Sequence, residues 1–505
     1  MIGHTSLKRL SFVVGACLAI VFAVSGLPAK DNKKIVDHPD KLKFGPLKFE
    51  VPDVADYQHK LANGSSIYIA PDRSLPLVNI SVTIRTGSYL EEKMGVAGTT
   101  GRIMRQGGAG ELDAESFDER IEFLATNMSS FVGGTRGGAS MNSITGALDE
   151  SLDLFFDMLK TPRFEEERLK VSLDSRLEGL KQRNDNPAGI SNREWSWLIR
   201  GNDHFTAKVL TKADLDGLSR EDLVAFHKKY FRPQNMIWAV SGDVEPKAII
   251  EKLNAQIAKW DVEAMDVPWP PPAPTHTPKP GLYYVQKDIP QGRVTIGHLG
   301  VQRDGWDDAR EFPLTLMNDI LGGGGFTSRL VKRIRSDEGL AYSAGSSFGM
   351  SQHWRGVFRM GYQSKSETVA FAAQIALEEM RRMRDEEVTD EELAISKSSL
   401  VDAFPGNFDS PSTVASIFAS GEYSGRPADY WTKYRDRARA VTREQIREAA
   451  RAHLDPEKLV MLIIGDWEAI KPGDADGRAS MAQFFGGEAT ALPLRDPLTM
   501  EPIDE

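Results

Sequence analysis

Two stretches of this chain, 223 positions apart, repeat one another without a gap. Leu218-Ser219-Arg220-Glu221-Asp222-Leu223 opens a segment that runs to Val240-Ser241-Gly242-Asp243. Val441-Thr442-Arg443-Glu444-Gln445-Ile446 opens another that runs to Ile463-Ile464-Gly465-Asp466. Ser219 and Thr442, Pro233 and Pro456, and Gly242 and Gly465 all share the one offset. Each copy starts with a Ser/Thr cap before a helical pattern and ends in an apolar run of the kind a buried strand needs. An offset held over about 25 residues predicts a duplicated domain. The other reading is two unrelated helix–strand units that share capping chemistry.

Between the copies lies Val267-Pro268-Trp269-Pro270-Pro271-Pro272-Ala273-Pro274-Thr275-His276-Thr277-Pro278-Lys279-Pro280-Gly281. Proline at this density removes ladder donors and stiffens the backbone, so the stretch reads as a linker between two halves. The predicted organisation is an N-terminal extension over 30–46, a first domain over 47–262, a linker over 263–281, a second domain over 282–467 and a tail over 468–505. A chain of 505 residues, 41% apolar and 27% charged, is long enough for two such domains and has an ordinary globular composition. Its net charge of −10, without a basic tract, argues against nucleic acid and against anionic membrane surfaces as partners.

Residues 1–29 carry an address. Lys8 and Arg9 precede an apolar run from Leu10 to Leu27, and small residues at Ala23, Ser25, Gly26 and Ala29 lead into Lys30. This is the pattern of a secretory signal peptide, and it predicts export, most simply to a periplasm. An uncleaved anchor is the other reading, since the run is just long enough to span. Val14-Gly15-Ala16-Cys17 faintly resembles a lipoprotein processing site, so membrane attachment is expected only if the segment is retained or lipidated. Cys17 is the only cysteine, so the mature chain has no disulfide, thiolate metal site or cysteine nucleophile.

Within each half, strand and helix patterns mix. Val78, Ile80, Val82 and Ile84 alternate with polar residues, predicting a half-buried strand that ends by Gly87. Leu152, Phe155, Phe156 and Leu159 fall at helical spacing, as do Leu169, Leu173, Leu177 and Leu180, the second run stopping at Asn184-Asp185-Asn186-Pro187. Phe371 to Arg384 and Glu391 to Val401 also read as helices. Sheets with one alternating face and several helices predict the α+β class, each sheet covered on one side.

Gly87-Ser88 followed by Gly95-Val96-Ala97 resembles the approach to the inverted zinc motif of the pitrilysin/insulinase (M16) metallopeptidases. Gly323-Gly324-Gly325-Phe326-Thr327-Ser328-Arg329-Leu330, then Gly339-Leu340-Ala341-Tyr342-Ser343, is similar to the second-domain signature of that family, and the Gly242-Asp243 and Gly465-Asp466 strand ends fit as well. The resemblance covers about residues 50–467 and implies two homologous domains, each a mainly antiparallel sheet with helices on one face. It also implies His-x-x-Glu-His on a helix, where two histidines four apart bind zinc and the glutamate polarises its water. The matching positions here are Gly98, Gly101 and Arg102, and the third ligand would align with Gly179, one place after Glu178. None of these is a ligand or a base, and among His38, His59, His204, His227, His276, His298, His353 and His453 no pair sits at helical ligand spacing. No zinc is therefore expected in this chain.

Other chemistries are absent too. Gly322, Gly323, Gly324 and Gly325 suggest a phosphate loop, but Phe326-Thr327 follows where Gly-Lys-Ser/Thr is required. The resemblance makes this loop a mobile element near the peptide chamber; on its own it reads as a flexible lead into a helix over 327–336. The family also places an Arg and a Tyr at the spacing of Arg335 and Tyr342, where they bind substrate and steady charge on the attacked carbonyl. Read alone, the two residues are a helix-end arginine and a half-buried strand tyrosine. By the resemblance, a two-domain chain with this pair and without zinc is the complementary half of a heterodimeric zinc endopeptidase. The expected partners are an M16 homologue bearing His-x-x-Glu-His, which supplies the zinc, and an unfolded peptide. A non-catalytic peptide-binding or envelope scaffold protein, and a peptidase acting alone through an unrecognised metal site, are the other expectations.

Overall fold

The computed structural model describes residues 48–272 and 276–503, together with His38, Lys41 and Leu42. The export segment and Cys17 lie outside the described residues. Every element below belongs to the unit Glu50–Glu505, and none of the described helices is long and apolar enough to cross a membrane.

The repeated stretches fold alike. Ser219 accepts from the Asp222 amide while the Asp222 carboxylate accepts from the Ser219 amide, starting the helix Arg220–Tyr230. Thr442 and Gln445 make the same reciprocal pair ahead of the helix Arg443–His453. Two orphan amides are thereby satisfied at each helix start. A 3₁₀ turn follows in both copies, Pro233–Asn235 and Pro456–Lys458, each with proline in its first turn, where the missing N–H costs nothing. The 223-residue offset thus holds for both ends of the helix and of the turn.

Each turn feeds the inner strand of a six-stranded sheet. The first sheet comprises β1 (Gln58–Lys60), β2 (Ser66–Pro71), β3 (Leu77–Ile84), β4 (Asn127–Val132), β5 (Gly137–Ile144) and β6 (Met236–Gly242), in the order β1-β2-β6-β3-β5-β4. The second comprises β7 (Gly281–Gln286), β8 (Gln291–Leu299), β10 (Ala341–Phe348), β12 (Val357–Lys365), β13 (Val460–Gly465) and β14 (Ala489–Leu492), in the order β10-β12-β8-β13-β7-β14. A short parallel pair, β9 (Val301–Gln302) and β11 (Met350–Ser351), stands apart. The copies match in topology: β6 is parallel to β2 and antiparallel to β3, as β13 is to β7 and β8. The other pairs are antiparallel except β14 with β7. Residues 468–505, set apart in the sequence as a tail, thus contribute a strand. They also return to the first half, where the Lys212 amide donates to the Leu498 carbonyl at 2.8 Å and Asn184 donates to the Arg495 carbonyl at 2.7 Å.

The period-two pattern of β3 has the predicted result. Val78, Ile80, Val82 and Ile84 are buried against the helices of their own half. The helix Leu148–Lys160 contributes Leu152, Phe155, Phe156 and Leu159 to that core, with Phe156 stacked on Trp238 at 5.6 Å. The other three predicted helices also form, as Glu166–Lys181, Val369–Asp385 and Asp390–Asp402. The helix expected over 327–336 differs. Residues 325–327 form a 3₁₀ turn, and the winding that follows is of the wider π type over Val331–Asp337.

The opposite face of each sheet is covered by a helix borrowed from the other half. Pro187–Arg200 lies across β13 and β8, where Ile190, Trp195 and Ile199 pack on Val460, Leu462 and Ile464. Reciprocally, Pro411–Tyr423 lies across β6 and β2. There the Glu422 carboxylate accepts from Ser66 Oγ at 2.5 Å and from the Tyr68 hydroxyl at 2.6 Å. Both helices begin with proline behind a capping side chain, Asn186 or Ser410. This exchange explains why every residue of β13 is buried and apolar up to its glycine. On the far side of the junction Trp269 of the linker stacks on His353 at 5.5 Å, under the Arg85 guanidinium at 4.2 Å, and Pro268 accepts from the Tyr89 hydroxyl at 2.6 Å.

One buried histidine makes the first core sensitive to acid. His227 donates from Nε2 to the Leu159 carbonyl at 2.8 Å, and its ring stacks on Phe231 at 4.8 Å. Burial pushes its pKa down to about 4, with the Leu159 hydrogen bond opposing. Unfolded histidine titrates near 6.5, so between these values the unfolded chain binds the extra proton and stability falls as pH falls. From pH 7 to pH 5 this site alone should remove about 2 kcal/mol, rising to about 3 kcal/mol by pH 4. Denaturant melts of wild type and His227→Gln across pH 4–7 check this: the difference between the two should shrink or reverse as acid is added. A constant difference would show that His227 is not held neutral.

Candidate functional site

The positions that correspond to a zinc motif lie on the helix Val96–Gln106. It starts behind Gly95, whose φ of +92° is a conformation that side chains rarely adopt, and the Ala97 amide donates to Glu91 Oε2 at 3.0 Å. Gly101, at the general-base position, has no room for a side chain. A Cβ there would lie 2.2 Å from the Val132 amide nitrogen and 2.5 Å from the Phe131 carbonyl carbon. Strand β4 occupies the space, tied down where Ser130 Oγ donates to the Gly101 carbonyl at 2.6 Å.

Gly98, at a ligand position, faces a cation. A Cβ there would lie 3.9 Å from Arg176 Nη1, on the neighbouring helix Glu166–Lys181. Burial first, and then the nearby Arg102 guanidinium, push the Arg176 pKa below the usual arginine range, while Glu91 opposes them. The Glu91 carboxyl is itself pushed up by burial, against hydrogen bonds from the Ala97 and Gly95 amides. Gly179 sits on the exposed side of the same helix with nothing within 4 Å, and Glu178 beside it pairs with Lys181 at 2.6 Å. Reading the alignment one residue earlier therefore brings no carboxylate to the motif. Among the described residues no group of three or more His, Cys, Asp or Glu is arranged to hold a metal ion. Two guanidinium groups and a strand backbone stand where a metal and its base would stand, so these residues do not fit zinc.

The second site is assembled in the other half. The glycine run is wound, not slack. Residues Asp319–Gly323 form a π turn closed by the Gly324 amide on the Asp319 carbonyl at 2.7 Å. A Cβ at Gly322 would lie 2.5 Å from the Ser346 amide nitrogen, so glycine here lets the turn lie directly against β10. Gly325, with φ +60°, then turns the chain outward and presents Phe326 at 70% exposure.

Phe326 completes a stack that the sequence did not single out. The Arg335 guanidinium carbon lies 4.6 Å from the centroid of the Phe326 ring and 4.6 Å from that of Tyr342. The arginine is thus held between two rings, an arrangement worth about 0.5–2 kcal/mol per face according to its solvation. Among the described residues it makes no ion pair, so its charge remains available. The pairing register of β10 slips between Ala341 and Ala344, and this bulge turns Tyr342 outward to 84% exposure. The expectation of a half-buried tyrosine is corrected: a regular strand would have kept it against the sheet. Chemically the site offers a fixed positive charge, one phenolic donor and an apolar rim.

A family model described as the peptidase M16 inactive domain matches residues 217–400. The chain is similar to proteins of the M16 family. The non-peptidase homolog YmxG of Helicobacter pylori is 22% identical over 398 residues, 78% of this chain and 90% of its own length. The crystal structure of a peptidase M16 inactive domain from Pseudomonas fluorescens superposes with a TM-score of 0.71 at 22% identity, over 81% of this chain and 97% of that one. The periplasmic protease PqqL from Escherichia coli superposes with a TM-score of 0.69 at 14% identity, over 89% of this chain and 50% of that one. The chain thus spans half the length of PqqL, and with both solved structures it shares the α+β two-sheet fold.

Restoring the motif should fail for a steric reason. Gly101→Glu drives a side chain into the β4 backbone and should cost about 3 kcal/mol or more, read by denaturant melts. The triple change Gly98→His, Gly101→Glu, Arg102→His should gain no stoichiometric zinc by metal analysis. One tightly bound zinc per chain, in the triple variant or in wild type, would overturn this description.

Proposed function

We propose that this chain is the non-zinc subunit of a periplasmic M16-type heterodimeric zinc endopeptidase. Arg335 and Tyr342 act on a peptide held at the metal of a partner that bears His-x-x-Glu-His. The observation that carries the reading is the half-buried Arg335 guanidinium, held between the exposed rings of Phe326 and Tyr342 without an ion pair among the described residues, in a chain whose own motif position is closed. A charge fixed in this way with a phenol beside it suits a carbonyl oxygen that gains negative charge as it is attacked. The partner's zinc would supply the activated water; the work of this chain is to bind, orient and stabilise. The match to half of a periplasmic protease supports both the half-assembly and the compartment.

A second reading, a non-catalytic peptide-binding or envelope scaffold, is favoured by the description of the H. pylori relative as a non-peptidase homolog. Kinetics separate the two. With the reconstituted pair, Tyr342→Phe should lower kcat by about 10²–10³ while leaving the thermal melt unchanged. Arg335→Ala should raise KM as well, because its charge also acts on bound substrate. Sedimentation of the mixed chains should show a 1:1 species. Independent sedimentation at micromolar concentration, or wild-type kinetics for both variants, would leave the scaffold reading.

A further inference from the structure

A long groove runs from Ser343, the residue after Tyr342, across the open face of the second sheet, and its charge is unlike that of the rest of the chain. Two adjoining cavities of about 420 and 540 Å³ share Asn192, Ser347 and Arg359. One wall is β10 and the segment beyond it to Ser351; the other is the borrowed helix Pro187–Arg200. Arg293, Arg359 and Arg200 line it, and no aspartate or glutamate does. The chain as a whole holds 72 acidic residues against 62 basic ones, so a groove with three arginines and no carboxylate runs against its composition.

These arginines also differ from most others in the fold. Arg329, Arg333, Arg382, Arg437 and Arg478 are all engaged by carboxylates. Among the described residues Arg200, Arg293 and Arg359 have no carboxylate partner. Arg359 donates only to Ser347 Oγ at 3.2 Å, and Arg293 Nε is buried with no partner at all. A buried guanidinium N–H without an acceptor is costly, and an incoming carboxylate would relieve it.

We infer that this groove binds an acidic stretch of an extended polypeptide, its carboxylates meeting Arg293, Arg359 and Arg200. From Ser343 to Ser351 it is about 30 Å long at the rise of a strand, room for roughly eight residues. Ser343 directly follows Tyr342, so the inference rests on the proposed peptide-handling role of the pair and assigns that peptide a charge. Seryl hydroxyls and the Asn192 amide suit a peptide backbone. A nucleic acid would carry a phosphate on every residue into the field of a protein with net charge −10.

The test needs no partner subunit. Fluorescent, unstructured peptides of one length, with four Glu or four Lys in an Ala/Ser background, are titrated into the full-length chain and read by anisotropy. The Glu peptide should bind at least about tenfold more tightly at low salt, and the difference should shrink at high salt. R293Q/R359Q should abolish most of that discrimination, whereas R293K/R359K should keep much of it. Equal affinities in wild type, discrimination unchanged in R293Q/R359Q, or tighter binding of a short single-stranded DNA through the same arginines would each overturn the inference. Loss of this binding with slow Tyr342→Phe hydrolysis intact would reject the groove alone. Binding without any partner-dependent hydrolysis would reject the subunit reading alone.

Discussion

Val460, Leu462 and Ile464 form an apolar row on the side of β13 that its own helices do not cover. Left in water, each would forgo about 1.5–3 kcal/mol of burial, and the sheet would present a sticky face. The helix Pro187–Arg200 from the other half covers it with Ile190, Trp195 and Ile199, and Pro411–Tyr423 returns the favour on the first sheet. Neither half can bury its sheet alone, so the duplicated domains are interlocked rather than strung together. The stacked Trp269 of the linker and the segment after β14, bonded to Asn184 and Lys212, reinforce the same junction.

That interlock also sets out the functional surfaces. The borrowed helix ends in Arg200 and forms one wall of the groove whose other wall is β10. The groove leads to the bulge that turns Tyr342 out beside Arg335. Positive charge is thereby gathered on one face of an acidic molecule, next to a donor pair that faces solvent. The first sheet instead carries the degenerate zinc-motif positions beside it. Its edge strand lies so near the helix Val96–Gln106 that Gly101 admits no side chain. Loss of the metal motif is therefore built into the packing and is more than a change of ligands.

Some of this was legible in the residues. The capping pairs Ser219–Asp222 and Thr442–Gln445 are local chemistry within four residues, so the duplicated helix starts could be read directly. The alternation in β3 and the helical spacing in Leu148–Lys160 likewise depend on periodicity alone. The glycine run was harder. Its residues look permissive in sequence, yet Gly322 is required by the approach of Ser346, 24 positions later. Phe326 carried no signal of its own, because its role comes from where the Arg335 side chain lies.

By itself the sequence determined the two-fold repeat, the mixed helix and strand content, the absence of zinc ligands at 98, 101 and 102, and the pair at 335 and 342. These follow from residue identity and short-range spacing. Only the tertiary structure decided that a helix from each half covers the sheet of the other, and that Arg176 stands over Gly98. It likewise decided that Arg335 sits between two rings, and that three unpaired arginines line one groove. Such arrangements join residues tens to hundreds of positions apart, and the side chains that meet there are chosen by packing, which no local pattern records.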